Sequence, residues 1–245
     1  MLLIPFFLCW GSFLNVVAYR IIRGESIVFP RSKCPHCKHM IAWYDNIPVL
    51  SWLFLTGKCR SCHEPISFLY ILIECFTALS MSLLFVMIPL HYFPAYFIFF
   101  SALIVTIRSD LETMLISRFA TVYSIPIGLI SSLIGFLPIT FHESMIGCMV
   151  GYAVLYLTGL IFRKYSGKDG LGQGDLDLLA FIGAFVGPFG CWITLLIGSL
   201  IGSCIGLVYL FIFKPNDSHI PFGPFLALGA ISYVLLQDKI ILLFF

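Results

Sequence analysis

Two aspartates and four cysteines are the residues of this chain whose types and spacing suit chemistry. Asp110 stands in Ile107-Arg-Ser-Asp110-Leu-Glu-Thr-Met-Leu-Ile116, and Asp175 closes Gly172-Gln-Gly174-Asp175; each borders a long apolar stretch. Two carboxylates at one depth can share a proton, so that one activates water as a base and the other protonates a departing group. That is the chemistry of an aspartic-protease dyad, whose titration belongs to the pair. Gly172 and Gly174 suit it because glycine lets a backbone approach a substrate strand closely. A Gly-x-Gly-Asp match arises about 0.05 times by chance in a chain of this composition. The plainer reading makes both aspartates boundary charges, with Asp175 favoured near a helix N-terminus. A nucleotide-binding reading of Gly170-Leu-Gly172-Gln-Gly174 fails on spacing, and no strand precedes it.

The cysteines form Cys34-Pro-His-Cys37 and Cys59-Arg-Ser-Cys62. Each pair offers two thiolates from one tight turn, and two turns complete a tetrahedral zinc site. A closed four-Cys site leaves no open coordination position, so such a metal is structural. The rival is a pair of disulfides, which a reducing compartment disfavours. The other five cysteines lie singly in apolar stretches and read as small buried hydrophobes. Between the pairs, Trp43-Tyr-Asp-Asn-Ile-Pro-Val-Leu-Ser-Trp52 is apolar enough for the lipid interface or for a small core around the metal, and both readings stay open.

The elements that must position these residues are membrane spans. Of 245 residues, 60% are hydrophobic and 11% charged, which excludes an ordinary soluble domain, a disordered chain and a nucleic-acid binder. Met1 to Tyr19 carries no charge and is long enough to cross a bilayer. Ile66 to Ile107 and Phe119 to Phe162 each read as two spans around a turn, with Glu74 and Glu143 their only charges. Leu178 to Phe213 is too long for one span and breaks at Gly187-Pro188-Phe189-Gly190; Gly223 to Ile241 is the last. The expected fold is therefore all-α and polytopic, with about eight transmembrane helices and the N-terminus outside. Thirteen of the fourteen Lys and Arg then fall in cytoplasmic loops, Lys239 being the exception, as the positive-inside rule asks. The sixth span, Leu176 to Gly187, is short: it is a half-crossing, or it starts below the surface with Asp175 at the apolar layer. The expected organisation is a first span over 1–19, a cytoplasmic four-Cys loop over 20–67, and a membrane domain of seven spans over 68–245.

Taken together, these motifs resemble those of the type IV prepilin peptidases, membrane aspartic proteases of the Gly-x-Gly-Asp group. Gly11-Ser-Phe-Leu-Asn-Val-Val-Ala-Tyr-Arg20 is similar to the family's first-span signature, and Arg31 to Cys37, Trp43 to Pro48 and Gly57 to Cys62 are similar to its loop. Asp110 with Ile116, Gly172 to Asp175, and Ile220-Pro-Phe-Gly-Pro-Phe-Leu-Ala227 follow in order. The resemblance implies cleavage of type IV prepilins and pseudopilins at the cytoplasmic face of a bacterial inner membrane, for pili, secretion or DNA uptake. It also implies, in many members, N-methylation of the new terminus with S-adenosylmethionine. Asp45 and Glu74 occupy positions typical of the family, which implies a supporting or methyl-donor role for them.

The chain departs from the pattern at Ile71, Ser109, Ser117 and Asp177. Asp177 stands where a Lys is common, and a further carboxylate there disturbs the dyad unless an Arg or Lys compensates. Asn15 reads as an interhelical hydrogen-bonding residue, and Glu112, His142 and Glu143 as loop groups. Two other classes of function compete: a zinc-stapled transporter, which calls for repeated halves that the chain lacks, and a non-catalytic pilin-assembly protein.

Overall fold

The computed structural model describes residues 3–167, 170–213 and 220–244. Two stretches of the expected cytoplasmic loops, 168–169 and 214–219, lie outside the described residues. The chain is all-helical: α1 Leu3–Ile22, α2 Leu50–Phe54, α3 Leu69–Met87, α4 Phe93–Thr113, α5 Ile125–Leu133, α6 Phe141–Ser166, α7 Gln173–Phe213 and α8 Gly223–Phe244. Among the described residues no sheet forms, only two isolated antiparallel bridges. Six helices, all but α2 and α5, are long and apolar enough to cross a membrane, so this is a multi-pass membrane protein. The chain divides into two compact units, Met1–Val86 and Met87–Phe245.

In the first unit, α1 buries Phe7, Gly11, Leu14, Asn15 and Ala18, a stripe at helical spacing. A Cβ on Gly11 would lie 2.9 Å from Glu74 Cα, so glycine lets α1 and α3 touch. Asn15 Nδ2 donates to the Tyr70 carbonyl across that contact at 3.1 Å, the interhelical bond its position suggested. Past α1, the buried Arg20 guanidinium donates to the carbonyls of Ser26, Ile27 and Pro30, tying the loop's first turn to the helix end.

The loop is built from one motif used twice. Around the first Cys pair, Cys34 N–H donates to His39 O, Lys38 N–H to Cys34 O and Ile41 N–H to Ser32 O. Around the second, Cys59 N–H donates to Glu64 O, His63 N–H to Cys59 O and Ile66 N–H to Gly57 O. Lys38 and His63, each just past its Cys pair, both have positive φ, and the bridges Lys33 to Met40 and Lys58 to Pro65 also correspond. The 25-residue offset aligns Lys-Cys-x-x-Cys-x-x-x-Ile with itself. The chain lacks repeated halves, but its loop carries this short internal repeat. The apolar segment between the pairs splits in two: Trp52 packs on Gly57 and donates to Ile66 O, whereas Trp43 is exposed.

In the second unit, α6 begins with a capping box, Thr140 and Glu143 satisfying each other's backbone N–H groups. Glu143, read from the sequence as a loop charge, is thus part of a helix. Gly147 and Gly151 let α6 cross α7 in backbone contact at Gly183 and Leu179. α7 breaks where expected: Gly187 has φ 72° and ψ 179°, a conformation left to glycine, and Pro188 starts the second arm. The first arm begins at Gln173, three residues before the expected Leu176. The expected fourth span is shorter than a crossing, an apolar helical run of about 18 Å over 122–133.

Candidate active site

Aromatic packing fixes the two helices that carry the aspartates. Phe99 of α4 stacks on Phe185 of α7 with centroids 4.7 Å apart and meets Phe181 at 5.3 Å. Asp110 lies eleven residues beyond Phe99 and Asp175 ten residues before Phe185. At ~1.5 Å per residue those offsets are about 16 and 15 Å along helices that run in opposite directions, so both carboxylates arrive at one level.

Asp110 is buried in the last turns of α4, and Asp175 is half-buried in the first turn of α7. Their surroundings meet, because Ile116 lies against both Gly174, next to Asp175, and Gly223, which touches Asp110. Asp110 Oδ2 accepts the Gly223 N–H at 3.1 Å, and the Asp175 N–H donates to Gly172 O at 3.1 Å. Ile116 packs between the elements: a Cβ on Gly174 would lie 2.8 Å from Ile116 Cβ, and one on Gly223 would lie 3.0 Å from Ile116 Cδ1 and 2.7 Å from Asp110 Oδ2. Glycine at 174 and 223 therefore lets the N-terminal ends of α7 and α8 close on the Asp110 helix. Gly172 is roomier, its Cβ position 3.5 Å from Asp175 Oδ2.

Neighbouring carboxylates are neutralised. Asp177, buried, accepts Arg118 Nε at 3.1 Å on Oδ2 and Gln173 Nε2 at 3.2 Å on Oδ1, and Gln173 also reaches the Tyr152 hydroxyl at 3.3 Å. Arg118 is the compensating base that Asp177 needs. Glu112, expected in a loop, belongs to α4 and pairs with the fully buried Arg108 at 2.6 Å. The Ser109 hydroxyl donates back to Thr106 O within the helix. Gly223, Arg118 and Gln173 were not singled out by sequence reasoning. Gly223 was visible only inside the Ile220 to Ala227 motif, and Arg118 only as a scarce base.

In the first unit, Glu74 is buried in α3 and accepts the Val49 N–H at 2.8 Å, anchoring a residue held at φ 62°. Asp45 accepts two bonds from Arg60, at 2.8 and 2.6 Å, and that guanidinium holds its carboxyl below the usual range. A cleft of about 310 Å³ opens beside α1, lined by residues that include Ser12, Arg20, Arg31 and Asn46. Neither Asp45 nor Glu74 is among its lining residues, although Asn46, next to Asp45, is.

Cys34, Cys37, Cys59 and Cys62 come together, their sulfurs all within 4.8 Å of one another and Cys34 Sγ 3.8 Å from Cys62 Sγ. Four thiolates about 2.3 Å from a tetrahedral metal stand about 3.8 Å apart, so the cluster fits a metal ion. The N–H groups of Cys62 and Ser61 pull the Cys59 thiol down to about 7. Cys62 has the Glu64 N–H in its favour, yet burial and the other sulfurs push it up to about 12. A cation bound among four such sulfurs would favour the thiolate form of its ligands.

Comparison with known proteins identifies the family. Residues 6–88 match the Bacterial Peptidase A24 N-terminal domain, and residues 97–211 match the Type IV leader peptidase family. The chain is 35% identical to a prepilin leader peptidase/N-methyltransferase of Aeromonas hydrophila, over 96% of this chain and 90% of that protein. It is 36% identical to a type 4 prepilin-like proteins leader peptide-processing enzyme of Escherichia coli O78:H11, over 93% and 90%. It is 34% identical to a prepilin leader peptidase/N-methyltransferase of Dichelobacter nodosus, over 91% and 87%. No solved structure matches it. With two domain matches in order and relatives that align along almost its whole length, the chain belongs to the type IV leader peptidase family.

Proposed function

We propose that this protein cleaves the leader of type IV prepilins or pseudopilins at the cytoplasmic face of the inner membrane, with Asp110 and Asp175 as its acid–base pair. One observation carries the reading: two carboxylates from antiparallel helices meet at one level, their glycine-backed loops closed around them. The names and coverage of the relatives support the same substrate class. Orientation is supported by the thirteen bases that the outside N-terminus places on the cytoplasmic side, in loops and helix ends.

In this reading the ionised member of the pair takes a proton from water, and the hydroxyl oxygen attacks the scissile carbonyl carbon. The protonated member donates to the departing side, the C–N bond breaks, and the new amine leaves with its proton. The shared proton belongs to the pair. The Gly223 N–H holds Asp110 Oδ2 and thereby orients the other oxygen toward the substrate. Gly174 leaves room for Ile116 to close on the α7 N-terminus, and Gly172 keeps the backbone slim beside the Asp175 carboxylate.

The metal is zinc in this proposal, held by Cys34, Cys37, Cys59 and Cys62 as a structural clasp of the loop. Asp45 and Glu74 support the same loop through Arg60 and Val49. N-methylation of the new terminus, with S-adenosylmethionine supplying the methyl group, rests on the names of the relatives; mass analysis of the mature substrate's N-terminus tests it.

Co-expression with a prepilin, scored by the mobility shift of leader removal, tests the peptidase. Wild type should process the substrate, and Asp110→Asn and Asp175→Asn should leave it intact at unchanged protein level. Full cleavage by either variant would falsify the dyad.

A further inference from the structure

We propose that the Arg118–Asp177 ion pair is a latch that sets the position of Asp175 relative to Asp110; the inference rests on the peptidase reading above. The segment after α4 passes across the first turn of α7 and touches it twice. Ile116 fills the space left by Gly174, one residue before Asp175. Two residues further on, Arg118 reaches over to Asp177, two residues after Asp175. The two contacts bracket Asp175 in sequence and come from the strand leading directly out of the Asp110 helix.

The Asp177 end of the latch is built firmly. Its side chain is 7% exposed, each oxygen has a donor, and the Gln173 donor is held in turn by Tyr152 of α6. The Arg118 end is 70% exposed, so a guanidinium crosses from solvent to a buried carboxylate. A buried carboxylate that loses its cation relaxes toward water. For Asp177, relaxation means rotating or fraying the first turn of α7, which carries Asp175 with it. Asp177 lies on a different side of the helix from Asp175, so the pair acts by placement and does not touch the substrate. Arg118 and Asp177 are positioning residues. Misplacement of a reacting group by about 1 Å costs on the order of a hundredfold in rate, so a latch of this kind is visible in kinetics.

The test is a charge swap in the full-length enzyme, purified in detergent and assayed on a prepilin whose leader ends in Gly ahead of an apolar helix. Arg118→Asp and Asp177→Lys, each alone, should lower kcat about 10- to 100-fold with KM within about threefold of wild type. The double variant Arg118→Asp/Asp177→Lys should recover to within about threefold of wild-type kcat, and Arg118→Lys should stay near wild type. A double variant no better than the worse single, or singles that cut at wild-type rate, overturns the latch. A fall that appears only in KM also overturns it, because that is the mark of a binding contact. Should a single variant fold poorly, Asp177→Asn, which keeps the Gln173 bond, replaces it and should lose kcat while the protein level holds. A wild type that leaves the prepilin uncut overturns the peptidase reading instead. The latch is then judged by melting temperature, where the singles fall and the swap recovers if it exists, and where additive losses overturn it.

Discussion

The loop between α1 and α3 and the paired ends of α4 and α7 both gather negative charge, and they treat it in opposite ways. In the loop, four sulfurs within 4.8 Å make a cage that fits a cation, and Asp45 is clasped by Nε and Nη2 of Arg60. At the helix ends, Asp177 has Arg118 and Glu112 has Arg108, while among the described residues no Lys or Arg pairs with Asp110 or Asp175. In each of these pairs a cation keeps a charge silent. It is withheld from the two groups that trade a proton in the proposed mechanism, because an arginine against either would fix it in the ionised state.

The largest effect expected from this contrast lies between two residues that are neighbours in sequence. Asp175→Asn removes a proton-sharing carboxylate, and the processing rate should fall on the order of 10⁴-fold. Asp177→Asn, two positions away, removes a neutralised one and should leave about 1–10% of wild-type rate. Comparable losses in the two variants would erase the distinction between paired and unpaired carboxylates, and single-turnover rates on one substrate measure both.

Next in size is the cage. Wild type should carry about one zinc per chain by metal analysis, and Cys34→Ser should carry less than about a tenth of that. Because a structural site contributes its binding energy to folding, the variant's loop should also become protease-sensitive between Arg31 and Glu64. A Cys34→Ser protein that kept its metal and its resistance would show that the sulfurs cluster for another reason, such as reversible disulfide formation.

The aspartate site can be disturbed without touching an ionisable group. Gly174→Ala sets a methyl 2.8 Å from Ile116 Cβ, so the strand or the helix must move, and activity should fall at least about tenfold. Gly172→Ala meets only an ordinary contact at 3.5 Å and should stay within about threefold of wild type. Equal tolerance at both positions would mean that the approach of α7 to Ile116 is not what sets the site.

These magnitudes depend on geometry that the sequence held to different degrees. The aspartates were legible as scarce charges in a uniform apolar background, the four cysteines by their paired spacing, and the break at Gly187 because Gly-Pro-Phe-Gly interrupts an apolar run too long for one span. Helical membrane character followed from composition alone. Glu143 was legible too, since Thr140-x-x-Glu143 ahead of an apolar run is a capping-box signature, yet its charge outweighed its spacing in the reading. The same holds for the loop's 25-residue repeat, hidden because only its cysteines are conspicuous. What no spacing carried is the pairing of distant residues: Gly223 with Asp110, 113 positions apart, and Arg118 with Asp177, 59 apart. Those partners are chosen by how helices pack, and hydrophobic periodicity along one helix says nothing of which loop lies against its end.

The smallest effect expected is in the loop's own ion pair, and it sharpens the contrast through pH. Arg60 hydrogen-bonds Asp45 and holds its carboxyl below the ordinary value near 3.8, so the folded loop binds that proton more weakly than the unfolded chain. The pair's contribution to stability is therefore present above the ordinary carboxylate pKa and is lost as pH falls through the lowered one. Arg60 is mostly exposed, which screens the interaction, so Asp45→Asn should lower the melting temperature by no more than a few degrees at pH 7. Once the pH falls below that lowered value the wild-type carboxyl is protonated as well, and the two proteins should melt together. A gap that widened on acidification would mean that Asp45 is held by something other than its arginine, and that silencing by a cation is not the rule in the loop.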